Sequence, residues 1–197
     1  MNTAPVCTKL TPFWGAAAWL SGSVDFSLLN RVDPTGWSAS RLTEAGLAHA
    51  AELHRGRALE SPQPALTLAD HRYPSRMAAT PFAPPVLFYE GDLTLLRRTG
   101  VAIVGARRCT ASGKGMAREL ATAVASGGGV VVSGMAYGID TAAHLAAPGA
   151  TIAVLGQGLA AGFSGNQART RARILDGGGL LLLSLIHISE PTRRYEI

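Results

Sequence analysis

Two stretches decide the fold: Val101-Ala-Ile-Val-Gly105-Ala-Arg107 and Val130-Val-Val-Ser133-Gly134-Met-Ala-Tyr-Gly138-Ile-Asp140. Each is a short apolar run that stops at a glycine loop, and a helical pattern follows each loop. Strand, glycine loop and helix in that order make a parallel βαβ unit with its loops on one sheet edge. Open parallel sheets bind ligands outside the carboxyl ends of their strands. Arg107 and Arg108 stand in the first of these loops. Backbone N–H groups at a helix start carry partial positive charge, and arginine adds a bidentate fork, so an anion is the natural ligand. The residues read as a phosphate-binding α/β domain.

The pattern repeats downstream. A helix is predicted from about 110 to 126 and is stopped by Gly127-Gly-Gly129. Met116, Leu120, Ala123 and Val124 fall at i, i+4, i+7 and i+8, which predicts its buried face. A short helix follows over 140–147, then a strand over 151–155 that meets Gly156-Gln-Gly158-Leu-Ala-Ala-Gly162. A basic helix over 166–175 leads to a fourth strand over 180–183. The near-continuous apolar strands predict a parallel sheet covered by helices on both faces.

Upstream, residues 61–99 read as a connector with Pro62, Pro64, Pro74, Pro81, Pro84 and Pro85. Residues 66–68 are expected to form a short strand, and 86–89 an edge strand, since proline at a strand start loses no ladder bond. Residues 93–98 read as a helical turn. Residues 1–60 are expected to form a small helical region. Its best segment is 40–54, where Leu42, Ala45, Leu47, Ala50 and Leu53 make an apolar stripe. The segment 12–20 is bulky, short and broken by Gly15, so it reads as a helix rather than a secretory signal.

Hydrophobic residues make up 47% and charged residues 16%, which excludes a disordered chain. The net charge of +5 is concentrated. Residues 100–184 hold seven Lys/Arg against three acids, whereas residues 1–99 hold nine against eight. A positive field on the α/β part favours nucleic acid or phosphorylated ligands. The two cysteines, Cys7 and Cys109, have neither metal spacing nor a disulfide framework, which suits a cytoplasmic protein. No apolar run is long enough for a membrane span.

Motifs for catalysis are missing. Gly105 to Gly113-Lys114 is too long for a P-loop, and Gly156-x-Gly158-x-x-x-Gly162 is only a stretched dinucleotide motif. Asp140 and His144 are four apart on one helix. As an acid–base pair they would need a positioned substrate; otherwise Asp140 meets the helix dipole and His144 packs. The basic constellation is stronger: Arg107 and Arg108 on the first loop, Lys114 on the helix after it, and Arg169, Arg171 and Arg173 on the helix after the third strand. Ser133, Gly134 and Gly138 are expected to offer free N–H groups on the second loop. Tyr137 and Phe163 at the same edge are suited either to stack bases or to pack the loops.

In order, Asp70-His-Arg-Tyr73-Pro74, Pro84-Pro-Val-Leu-Phe-Tyr89-Glu-Gly91-Asp92, Val101 to Arg107, Ser133-Gly134-Met-Ala-x-Gly138-Ile-Asp140-x-x-Ala143-His144 and Thr151-Ile-Ala-Val-Leu-Gly156-x-Gly158-Leu resemble the DprA/Smf family of bacterial DNA-processing proteins. The likeness runs from about 66 to 184. It implies an extended Rossmann-like fold that binds and protects single-stranded DNA and helps RecA loading in natural transformation. It implies a homodimer, no catalysis and no cofactor or metal. It places Gly105, Arg107, Ser133 and Gly134 in the DNA pocket. Arg108, Lys114, Gly138, Asn166 and Arg169 are the further candidates. A nucleotide- or NAD-type enzyme on the same sheet edge is the alternative, since fold alone does not choose.

The sequence departs from the family in four places, one of them residues 1–60, which show little of the family's small helical domain. Tyr137 stands where the family often has arginine. Ala160, Phe163 and Ser164 replace an Asp and a Tyr-Pro, while Asn166 remains. After Ser184 the family continues with a proline-rich loop, an Arg-Asn-Arg motif and more strands. Here residues 185–197 have no amphipathic period and resemble translated sequencing adapter, so they are expected to be non-native. The Rossmann-like domain over 100–184 is then expected to be incomplete on its C-terminal side. Its fourth strand would lack neighbours and leave an exposed apolar edge.

Overall fold

The computed structural model describes residues 8–10, 59–61, 64–80, 83–156, 163 and 165–184. The helix expected over 40–54, and most of the helical region expected over 1–60, lie outside the described residues. The parts of that region that are described are extended: β1 (Thr8–Leu10) pairs antiparallel with β2 (Leu59–Ser61), Lys9 opposite Glu60. The chain divides into two compact units, residues 1–88 with 184–197, and residues 89–183.

In the first unit, β3 (Ala65–Thr67) pairs antiparallel with the start of β4 (Val86–Gly91), Leu66 opposite Leu87. A single helical turn, α1 (Ser75–Ala78), starts after Pro74. The segment expected as a proline-rich connector has a core of its own, with Leu66, Leu68, Tyr73, Val86 and Leu87 buried. The Tyr73 hydroxyl donates to the Pro84 carbonyl at 2.6 Å, and Leu68 N–H donates to the Pro85 carbonyl at 2.9 Å. Both bonds satisfy the proline-flanked backbone just before β4.

In the second unit, a 3₁₀ turn over Leu93–Arg97 is capped by Asp92, whose carboxylate accepts the Thr94 N–H at 2.8 Å. The βα repeats follow as β5 (Gly100–Ala102), α2 (Ala111–Ser126), β6 (Val130–Ser133), α3 (Ile139–Ala146), β7 (Thr151–Leu155), α4 (Gly165–Asp176) and β8 (Leu180–Ser184). Strands β5 to β8 are parallel, with Val101 opposite Val131, Val132 opposite Ile152 and Ala153 opposite Leu181. The sheet runs β4-β8-β7-β6-β5 here, part of a mixed six-stranded sheet that begins with β3. This is the Rossmann-like α/β arrangement that the sequence predicts.

Alternation along β6 sorts the core into two layers. Val131 faces α2 and α3 with Ala117, Ala121, Ala142 and Ala143. Val130 and Val132 face the other side with Leu95, Ile152, Leu180 and Leu182, beneath the 3₁₀ turn.

Three expectations are corrected. The strand expected at an edge, β4, is internal, between β3 and β8. The fourth parallel strand, β8, does not lack neighbours, because it sits between β4 and β7. The parallel strands end at β5, an edge of the sheet whose three residues are all exposed. The third correction concerns the buried face of α2. Ala117 and Ala121 are buried, whereas Met116 and Leu120 are 59% and 51% exposed. Alanine lets the helix approach the sheet and α3 closely, so size misled the reading of the stripe. Met116 and Leu120 instead line an open groove of about 310 Å³ with Ile103, Val104 and Ile139.

Candidate nucleic-acid interface

Because β5, β6 and β7 are parallel, the loops that follow them leave the same edge of the sheet. The first loop, 103–110, is held from below rather than left open. Ile103 N–H bonds to the Val132 carbonyl at 3.0 Å, continuing the ladder one residue past β5. The buried Ser133 hydroxyl then donates to the Ile103 carbonyl at 2.6 Å. At the far end of the loop, the Thr110 hydroxyl accepts the Gly113 N–H at 3.0 Å and caps α2.

Asp140 joins the first two loops. One carboxylate oxygen accepts the Gly105 N–H at 3.3 Å, and the other accepts Gly134 N–H at 3.1 Å and Ala136 N–H at 3.3 Å. Met135, between the last two donors, has a left-handed φ of 59° and is buried. A left-handed residue between two N–H donors turns both toward one point, the geometry of an anion nest. Gly138 completes the junction. Its φ is +89°, and a Cβ there would lie 2.3 Å from the Ala106 carbonyl oxygen. Only glycine allows α3 to start this close to the Arg107 loop.

The predicted site residues therefore divide. Arg107 and Arg108 are exposed, and Lys114 partly so, and their side chains have no hydrogen bond or ion pair among the described residues. Asn166 and Arg169 are exposed in the first turns of α4. Ser133 is buried and Gly138 half-buried, whereas Gly105 and Gly134 are exposed. The N–H groups of Gly105 and Gly134 are taken by Asp140, not left for a ligand. The N–H groups of Ala106, Arg107 and Arg108 have no acceptor among the described residues, and neither do those of Tyr137 and Gly138 on the second loop. Of the donors expected to be free on the second loop, Gly134 N–H is taken by Asp140, while Gly138 N–H has no acceptor among the described residues.

Two other candidates are committed internally. The Arg171 guanidinium pairs with Glu90 and lies 5.6 Å from the centre of the Phe163 ring. Arg171 thus leaves the basic constellation, and Phe163 packs against it. Tyr137 remains 46% exposed.

His144 is buried. Its Nδ1 lies 2.7 Å from the Thr151 hydroxyl, which donates onward to the Val131 carbonyl at 3.3 Å. Burial pulls the His144 ring down to about 4, against the opposing charge of Asp140. His144 is a neutral packing residue, as its place on the helix implied.

The role of Asp140 was missed in part. The signal was present: an acid in an apolar helix, Ile139-Asp-Thr-Ala-Ala-His-Leu-Ala146, with no Lys or Arg on its face. Such a carboxylate must find backbone donors. Among the described residues, no group of three or more His, Cys, Asp or Glu is placed to hold a metal ion, and no helix is long and apolar enough to cross a membrane.

The sequence profile described as DNA recombination-mediator protein A matches residues 64–196. DNA processing protein DprA of Streptococcus pneumoniae is 42% identical over 107 residues, 49% of this chain and 35% of the relative. Protein Smf of Escherichia coli K12 is 39% identical over 128 residues, 63% of this chain and 34% of the relative. The chain therefore spans about a third of the length of these curated relatives. The X-ray structure of DNA processing protein A from Streptococcus pneumoniae superposes with a TM-score of 0.62 at 27% identity, covering 89% of this chain and 68% of that one. The structure of the Helicobacter pylori protein, described for its single-stranded DNA binding mode, superposes with a TM-score of 0.51 at 30% identity, covering 61% and 55%.

Proposed function

The chain belongs to the DNA recombination-mediator protein A family, and on that premise we propose that the loops outside β5, β6 and β7 bind single-stranded DNA by its phosphates. The observation that carries this reading is the uncommitted charge at one sheet edge. Arg107, Arg108 and Lys114 lack internal partners among the described residues, while the part-buried Arg171 is neutralised by Glu90. The free N–H groups of residues 106–108 add donors beside the two guanidiniums. Arginine with backbone N–H groups is the usual equipment for phosphate oxygens. Asn166 and Arg169 extend the track toward α4, and the exposed Tyr137 ring offers a surface for one base.

The buried Ser133 and the Asp140-bound N–H groups of Gly105 and Gly134 support this site from within the fold. The Helicobacter pylori relative is described as binding single-stranded DNA, which favours the same ligand here. This activity would serve natural transformation: a cytoplasmic homodimer covers incoming strands and helps RecA load. We read the chain as a binding protein rather than an enzyme, because the carboxylate of Asp140 is spent on three backbone N–H groups and its neighbour His144 is buried.

The test is fluorescence anisotropy with labelled oligothymidine, competed by a duplex of equal length and by free nucleotides. Tighter binding of the single strand supports the reading. Preferential binding of a free nucleotide would move it to the enzyme alternative.

A further inference from the structure

We infer that Asp140 acts as a built-in anion, occupying the loop nest where a ligand oxyanion would sit and thereby positioning the Arg107 loop. The nest is made by the N–H groups of Gly134 and Ala136, with the left-handed Met135 between them. Its third donor, Gly105 N–H, comes from the other loop. The carboxylate is 5% exposed and has no Lys or Arg partner among the described residues. Its neighbour on α3, His144, is neutral. The charge of Asp140 is therefore balanced by backbone dipoles: three N–H groups and the start of α3. An external phosphate that entered this nest would meet that charge. It binds outside, at residues 106–108, where donors remain free.

The arrangement also fixes where those donors point. Gly105 N–H is held by Asp140, and the Ala106 carbonyl accepts the Ile139 N–H at 3.4 Å. A Cβ on Gly138 would meet the Arg107 carbonyl oxygen at 2.6 Å, so this backbone is seated directly on the start of α3. Asp140 is thus a positioning residue, acting on DNA through Arg107. This effect on DNA rests on the single-stranded DNA reading; the occupation of the nest does not.

Asp140→Ala and Asp140→Asn are compared with the whole wild-type chain in two assays, each with sodium formate or with sodium chloride at equal ionic strength. In the first, oligothymidine affinity is read by anisotropy. Asp140→Ala weakens it about tenfold, and formate, which refills the nest, restores it to within about threefold. In the second, thermal unfolding, formate raises the midpoint of Asp140→Ala and leaves the wild type unchanged, because it binds only a vacant nest. Asp140→Asn is weakened and ignores formate, since its amide fills the space and turns an N–H₂ toward a donor.

The inference is overturned if formate and chloride act alike on Asp140→Ala in both assays. It is also overturned if Asp140→Asn matches the wild type. Should Asp140→Ala not fold, Asp140→Asn decides alone by the same comparison. If the wild type ignores oligothymidine, the DNA reading fails, and the thermal assay still decides the nest.

Discussion

The Ser133 hydroxyl donates to the Ile103 carbonyl at 2.6 Å, just beyond the last backbone bond between β5 and β6. A side chain here takes over from the ladder and sets where the Arg107 loop begins. Removing the hydroxyl leaves a buried carbonyl without its donor, at a cost of about 1–2 kcal/mol. Ser133→Ala should lower the urea midpoint accordingly. It should weaken oligothymidine binding without changing its salt dependence, because no charge is lost.

Gly138 is where the start of α3 passes under that loop. Alanine there combines a φ of +89° with a Cβ 2.3 Å from the Ala106 carbonyl oxygen. The backbone must shift, at about 2–4 kcal/mol. Chemical denaturation of Gly138→Ala measures this. Wild-type stability would show that the loop relaxes away from α3 freely.

His144 sets a pH dependence. Its folded value, about 4, lies below the ordinary 6.5, so the unfolded chain binds the extra proton as pH falls between them. The stability contributed by the neutral ring is complete above about 6.5 and is lost toward 4, about 3 kcal/mol in all. Arg72 holds the Asp70 carboxyl below the usual range through a side-chain hydrogen bond, so its loss falls in a more acidic window, below 3.8. Thermal midpoints from pH 7 down to pH 4 should decline in the wild type and stay flatter in His144→Asn.

The open β5 edge, with Val104 69% exposed above Met116 and Leu120, makes an apolar strip of the kind that promotes association. Met116→Lys with Leu120→Lys should reduce light scattering at high protein concentration and change stability by less than about 0.5 kcal/mol per site. Ala121→Leu, in the true core face, should cost about 1–3 kcal/mol through overpacking.

The order of strands and helices was legible because glycine loops and apolar runs mark a βαβ chain plainly. Pairing was less so: nothing in 86–89 says that β8 will lie beside β4, since that choice is made by packing far along the chain. The α2 face misled because Met116 and Leu120 outweigh Ala117 and Ala121 in hydrophobicity while the alanines allow closer approach. In the site, the charged residues were readable from type and position. The commitments of Gly105 and Gly134 were not, because one carboxylate reaching across two loops leaves no local pattern.

The most direct test of the account is the salt dependence of oligothymidine binding for the wild type and Arg107→Ala. Phosphate contacts predict affinity that falls steeply as salt rises, with a log–log slope reduced by about 0.7 when one contact is removed. The account predicts that reduction in Arg107→Ala, with weakening that does not depend on sequence. An unchanged slope and affinity in Arg107→Ala would contradict it.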